Sequence, residues 1–302
     1  MPSRTILTHL ISGNPDGIRI VEFTTRPIQG VSFPRSLFKE VTERSELSNA
    51  GVYFLFGEDE NENIQVYIGQ ALNITERLKN HLRSLEKNFW TTTVCFTKGQ
   101  TRLNSAQVNY LESKLIKKVN ESGRVDKDNI LNGNAGNREP LDEFQIADLE
   151  EFLSDLEILL GTLGHSILSP YFHKNNRGEI LNNENQSEVI YYLKRGNCEG
   201  KMVYINEGFI VLKDSIGQSM QACGLKDGIL KRREKLEKDG VIEFLNDGKI
   251  KFLKDHLFKT PSGGSIILSG SASNGWGDWK DLNERSLGEN ENYWQQTINL
   301  NN

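Results

Sequence analysis

Two kinds of apolar pattern alternate along this chain: short runs, continuous or alternating, and longer stretches in which apolar residues recur every three or four positions. Val52-Tyr53-Phe54-Leu55-Phe56 and Ile64-Gln65-Val66-Tyr67-Ile68 are of the first kind and predict two strands. The connector Gly57 to Asn63 holds no apolar residue and is acidic. It is longer than the two-residue optimum but still reads as a hairpin loop. Ile74, Leu78, Leu82 and Leu85 then form a stripe at helical spacing behind the capping residue Asn73. Phe89 to Phe96, with the β-formers Trp90, Thr91, Thr92, Thr93 and Val94, predicts a third strand. A second helix is expected from Ser105 to about Asn120, capped by Asn104 and closed by Gly123, with Val108, Leu111, Leu115, Ile116 and Val119 on its apolar side. A third, Asp142 to about Leu163, carries Leu149, Phe152, Leu153, Leu156, Leu159, Leu160 and Leu163 and an acidic face expected in solvent.

These elements predict an α+β fold: a small mixed sheet flanked by helices, followed by a separate small α+β C-terminal domain. Residues 1–48 read as a β-rich segment, with strands near Ile18–Phe23 and Ile28–Phe33 after the turn Asn14-Pro15-Asp16-Gly17. Residues 49–140 hold the hairpin and first two helices, and 141–186 a helical connector ending in an Asn-rich linker. Residues 187–285 form the C-terminal domain, and 286–302 a polar tail. In that domain, strands are expected at Met202–Ile205 and Phe209–Leu212, a basic helix at Ile229–Lys238, and a hairpin turning at Asn246-Asp247-Gly248. Ser262–Gly277, dominated by Ser, Gly and Asn, reads as a surface loop.

Length supports two domains rather than one at 302 residues. The formal charge of −5 argues against a uniformly basic nucleic-acid binder, yet it leaves room for a local basic face. Arg77, Lys79, Arg83, Lys87 and Lys98 outnumber Glu76 and Glu86, and a second basic stretch runs from Lys114 to Arg138. Cys95, Cys198 and Cys223 are far apart and follow no zinc or disulfide spacing. The N-terminus lacks a signal-like apolar region, and no run is long enough to span a membrane, so a cytoplasmic protein without a membrane partner is expected.

The chemistry concentrates in 49–140. At about 100° per residue, Arg77 and His81 lie one turn apart at the shoulder of the Ile74/Leu78 stripe. Glu112 is odder: it sits four residues after Val108 and three before Leu115, so it points into an apolar face. A carboxylate there is costly unless it is paired or binds a cation. Singly, each residue has an ordinary structural explanation. Together, Tyr53, Tyr67, Arg77, His81 and Glu112 make a poor core and a good phosphate site.

In these positions the sequence resembles the GIY-YIG nuclease family. Gly51-Val52-Tyr53 stands for the first motif string and Tyr67-Ile68-Gly69 for the second. Arg77 follows at the family spacing, His81 one turn later, and Glu112 resembles the family's metal-binding glutamate. Asn132 or Asn134 resembles the asparagine beyond it, and Gln70 stands where the DNA-repair excinuclease branch carries Lys. The stretch Asp255 to Trp279 resembles a small domain of unknown function that follows such modules in bacterial proteins, and the leader's Gly17-Ile18-Arg19-Ile20 and Phe33-Pro34-Arg35-Ser36 resemble the start of the same multidomain group.

The resemblance implies a metal-dependent endonuclease, acting on DNA or RNA, in a setting such as restriction or phage defence. Glu112 would hold Mg²⁺ or Mn²⁺, Arg77 would bind the phosphate, and Tyr53, Tyr67 or His81 would handle the proton of the attacking water. Lys79, Arg83, Lys114 and Asn132 are candidate nucleic-acid contacts, and a homodimer is one way to cut both strands. Two rival readings remain at this point. One is a catalytically silent nucleic-acid-binding or scaffold protein. The other gives the main role to the C-terminal domain, with Ser262–Gly277 as a ligand loop, Trp276 and Trp279 as stacking residues, and the basic helix around Arg233 as a backbone contact.

Overall fold

The computed structural model describes residues 3–59, 63–83, 88–99, 102–132, 140–174, 180–181, 187–219 and 227–292. Leu85, Asn134 and most of the Asn-rich linker lie outside the described residues. The chain forms two compact units, Met1–Tyr171 and Phe172–Asn302.

The first unit is built on one sheet of seven strands: β1 (Ile6–Leu10), β2 (Arg19–Phe23), β3 (Ile28–Pro34), β4 (Gly51–Glu58), β5 (Ile64–Ala71), β6 (Trp90–Lys98) and β7 (Ile130–Asn132). Their spatial order is β1-β2-β3-β6-β4-β5-β7. Every neighbouring pair is antiparallel except β5 and β7, which run parallel. The helices are α1 (Phe38–Val41), α2 (Ile74–Arg83), α3 (Ser105–Ser122) and α4 (Glu143–Thr162). Side chains alternate across a strand, so the continuous apolar run of β4 feeds two cores. Val52, Phe54 and Phe56 pack with the apolar sides of α3 and α4. Tyr53 and Leu55 pack on the other side with Ile74 and Leu78 of α2.

The predicted caps are present. Asn104 accepts from the backbone N–H of Gln107, whose side chain returns the bond, and Asp142 and Gln145 form the same box at α4. Gly123 ends α3 with a φ of 68°.

Two expectations for this unit change. Residues 1–48 are not a separate leader: β3 pairs along its whole length with β6, so the first three strands extend the same sheet. The acidic face of α4 is not simply solvated. Asp155, 3% exposed, is paired with Arg4 and Arg26, while Glu150 holds Lys114 and Glu157 holds Lys118. The helix is thus tied to the N-terminal strands and to α3 by charge as well as by leucines.

The second unit has a small ladder, β8 (His173–Lys174) with β9 (Ile180–Leu181), and a larger sheet. That sheet comprises β10 (Ile190–Arg195), β11 (Cys198–Ile205), β12 (Gly208–Val211), β13 (Ile216–Gly217), β14 (Ile242–Phe244), β15 (Ile250–Phe252) and β16 (His256–Phe258). Its helices are α5 (Asp227–Lys238), α6 (Pro261–Ser269) and α7 (Gly275–Asp278).

Here the sequence misleads most. The expected surface loop at Ser262–Gly277 is largely the buried helix α6, with Thr260 as N-cap and Pro261 in its first turn. Its small residues allow a close approach: a Cβ on Gly264 would lie 2.6 Å from Val211 Cγ2. The basic helix α5 does not turn all its charge outward. Arg233 is fully buried and donates to the carbonyls of Ile267 and Leu268 in the last turn of α6, and to Gln218 O. Trp279 is buried and donates to Pro261 O, so it is no stacking platform. The tail begins with a helical turn at 287–292 whose Leu287 is in the core.

Candidate functional site

The site is assembled at one end of the β4–β5 hairpin. Tyr53 on β4 lies opposite Gly69 on β5, and Tyr67 is two residues along on the same face. The two rings stack with centroids 6.0 Å apart. Gly69 makes this possible: a Cβ there would come within 2.4 Å of Tyr53 Oη and 2.8 Å of Tyr67 Cε1. Gly51 is equally constrained, since a Cβ would meet Phe96 O at 2.2 Å. The glycines of both motif strings are therefore demanded by packing in this chain.

Helix α2 brings two further groups to the tyrosines. His81, 3% exposed, places Nε2 2.6 Å from Tyr53 Oη, and its ring sits edge-on to Tyr67 at 4.9 Å. Arg77, one turn earlier and exposed, donates from Nε to the same phenol oxygen at 3.4 Å. Burial, and then the neighbouring Tyr67, push the Tyr53 phenol above its usual range, against the pull of Arg77. The bond to Tyr53 in turn raises Arg77, which stays cationic.

Glu112 arrives from α3. It is 5% exposed, as its position among Val108, Leu111 and Leu115 demands. Its carboxylate accepts the backbone N–H of Gln70. The pairing of β7 with β5 ends at Ile68 and Asn132, two residues before Gln70, so Glu112 takes a backbone donor just past the end of that ladder. Burial raises the Glu112 pKa, while the charge of Arg77 and the Gln70 N–H oppose the rise. Gln70 has a second role: its side-chain amide donates to Asn109 Oδ1 on α3 at 3.0 Å, linking β5 to the turn that precedes Glu112. Sequence reading marked Gln70 only as a departure from a family pattern, and nothing in the sequence marked Asn109.

The remaining candidates are scattered. Lys79 is paired with Glu76 at 2.8 Å, and Lys114 with Glu150 at 2.6 Å. Arg83 is exposed at the last position of α2, and Asn132 is exposed at the end of β7.

Among the described residues no group of three or more His, Cys, Asp and Glu could hold a metal ion. The donor chemistry still fits one kind of ion. A lone buried carboxylate suits Mg²⁺ or Mn²⁺ bound through one protein oxygen, waters and a substrate phosphate. It does not suit a protein-enclosed site such as structural zinc.

A family model described as a domain of unknown function, DUF4357, matches residues 191–291. It covers most of the second unit and leaves the first unmatched. No curated protein and no solved structure matches the chain. No helix among the described residues is long and apolar enough to cross a membrane.

Proposed function

We propose that the first unit is a metal-dependent endonuclease of the GIY-YIG type, hydrolysing phosphodiester bonds in DNA or RNA. The observation that carries this reading is the Tyr53 hydroxyl lying in hydrogen-bond reach of both His81 and Arg77, with a buried carboxylate in the field of that same arginine. A structural core gains little from such a set, because Tyr53, His81 and Glu112 are polar and buried. A phosphodiester gains a cation, a proton acceptor and a metal ligand.

Tyr53 is a weak base by itself, since burial keeps its phenol protonated. Its contact with His81 supplies a relay. As the attacking water gives a proton to Tyr53 Oη, the phenol proton passes to His81 Nε2, and the new hydroxide forms its bond to phosphorus. The P–O bond to the leaving oxygen breaks, and that oxygen is protonated from solvent. Arg77 offers charge-assisted hydrogen bonds to the phosphate as negative charge builds. Glu112 would hold the divalent ion, which when bound supplies charge stabilisation to the phosphate and the leaving oxygen. Tyr67 packs against both Tyr53 and His81 and holds the relay in place.

The test is cleavage of DNA and RNA substrates with Mg²⁺ or Mn²⁺ and with chelator. Metal-dependent cutting that Arg77→Ala abolishes in a folded protein supports the proposal. Tight binding with no cutting under any of these metals overturns it in favour of a binding protein.

A further inference from the structure

A concavity opens along α3, round the helix from Glu112. It is a cleft of about 370 Å³ between α3 and the start of α4. That volume is in the range of small-molecule sites, roughly 300–1,000 Å³. Tyr110, Leu141 and Ile146 give it an apolar lining, and Asn109 and Ser113 are its uncharged polar residues. At about 100° per residue those two lie roughly 60° and 100° round the helix from Glu112 and Tyr110 about 160°, so the near lip of the cleft is towards the candidate catalytic edge and its aromatic wall is on the far side of α3. Asn109 is the residue that Gln70 binds, which joins the cleft to the strand that holds Glu112.

The aromatic ring in the cleft is held in place. Tyr110 donates to Glu150 at 2.6 Å, and Lys114 reaches both that carboxylate and the ring face, 5.1 Å from its centroid. Ring orientation is thus fixed before any ligand arrives, which lowers the entropic cost of stacking. Lys114 and Lys117 line the same cleft, each paired with a carboxylate, Glu150 and Glu121. An apolar cleft with an ordered aromatic and with amide and hydroxyl side chains on its rim is the combination that recognises an unstacked nucleobase.

We propose that this cleft receives one unstacked nucleobase of the substrate strand, a nucleotide or more along from the phosphate that is cut. Tyr110 stacks on the base, Asn109 and Ser113 meet its edge, and Lys117 faces the adjoining phosphate. The identity of the strand as substrate rests on the nuclease reading above. An unstacked base implies a preference for flaps, bulges or single strands over continuous duplex.

The test uses the full chain in Ca²⁺, with short fluorescent single-stranded DNA and RNA and a matched duplex. Single strands of at least one of the two kinds bind more tightly than duplex. Tyr110→Ala weakens that binding by about five- to a hundredfold, the range for loss of one stacked base. Tyr110→Phe, which keeps the ring, stays within about twofold. On the wild-type protein, iodouracil-substituted strands photo-crosslink to Tyr110, a result that does not depend on how the variants fold. Unchanged binding in a folded Tyr110→Ala, crosslinks only elsewhere, or no preference for single strands overturns the proposal. Binding through Tyr110 without cutting in Mg²⁺ or Mn²⁺ leaves the cleft standing and removes the nuclease reading. Cutting that is indifferent to Tyr110 does the reverse.

Discussion

Glu112 is kept where its charge opposes the fold. Burial raises its pKa, so the folded state holds this proton more tightly than the unfolded chain. The stability linked to that proton is fully present below the unfolded carboxyl range and is lost as pH rises through the folded value. Glu112→Gln therefore melts higher than wild type near neutral pH in chelator, and the gap closes towards about pH 4. The same variant loses metal-dependent cutting by at least about a hundredfold. A wild-type melting temperature equal to the variant's across this range would contradict the assigned burial. Gly69 gives a second residue-scale test. Gly69→Ala drives a methyl into Tyr53 and Tyr67, and denaturant titration should find the first unit about 1–3 kcal/mol less stable.

At the scale of elements, how much was legible in the sequence depends on whether a segment carries its own signal. The hairpin, α2 and the Asn104 cap of α3 were readable because periodicity and caps are local. β1 was not, because its residues are mostly exposed and only pairing with β2 makes them a strand. Helix α6 was hidden by composition: Gly and Ser read as loop, although Thr260-Pro261 is a helix-start signal, and close packing on Val211 rather than propensity selects the helix. Of the site, Tyr53, Tyr67, Arg77, His81 and Glu112 were legible from motif order and helical phase. Asn109 was not, because its role arises only from a contact with a side chain on another element.

Arg233 gives α6 a direct test. Arg233→Met keeps bulk but leaves carbonyls in the last turn of α6 without their donor, and the unfolding transition of the second unit should fall by about 2–4 kcal/mol. His165, after α4, stacks on Phe56 with centroids 3.9 Å apart, and burial with the charge of Arg19 depresses its pKa to about 4. The unfolded chain binds this proton more readily, so stability is full above about pH 6.5 and is lost as pH falls towards about 4, by roughly 1–3 kcal/mol. His165→Phe retains the stack and should remove that part of the slope in pH-dependent denaturation.

For the whole molecule, the basic stretches seen in the sequence are partly neutralised by acidic partners. Lys79, Lys114, Lys117 and Lys118 pair with Glu76, Glu150, Glu121 and Glu157. Together with the net charge of −5, this predicts nucleic-acid binding with a shallow salt dependence. The slope of log affinity against log salt should have a magnitude of about 2–4, not the value near 10 of a large basic footprint. The central claim is that Glu112 and Arg77 serve one metal-dependent cutting site. The most direct measurement is conversion of supercoiled plasmid and of labelled flap substrates in Mg²⁺ or Mn²⁺ by wild type, Glu112→Ala and Arg77→Ala, each shown to be folded. Wild type should cut, and chelator or either substitution should abolish cutting. Cutting that persists at full rate in either variant, or wild-type protein that binds these substrates and leaves them intact, contradicts it.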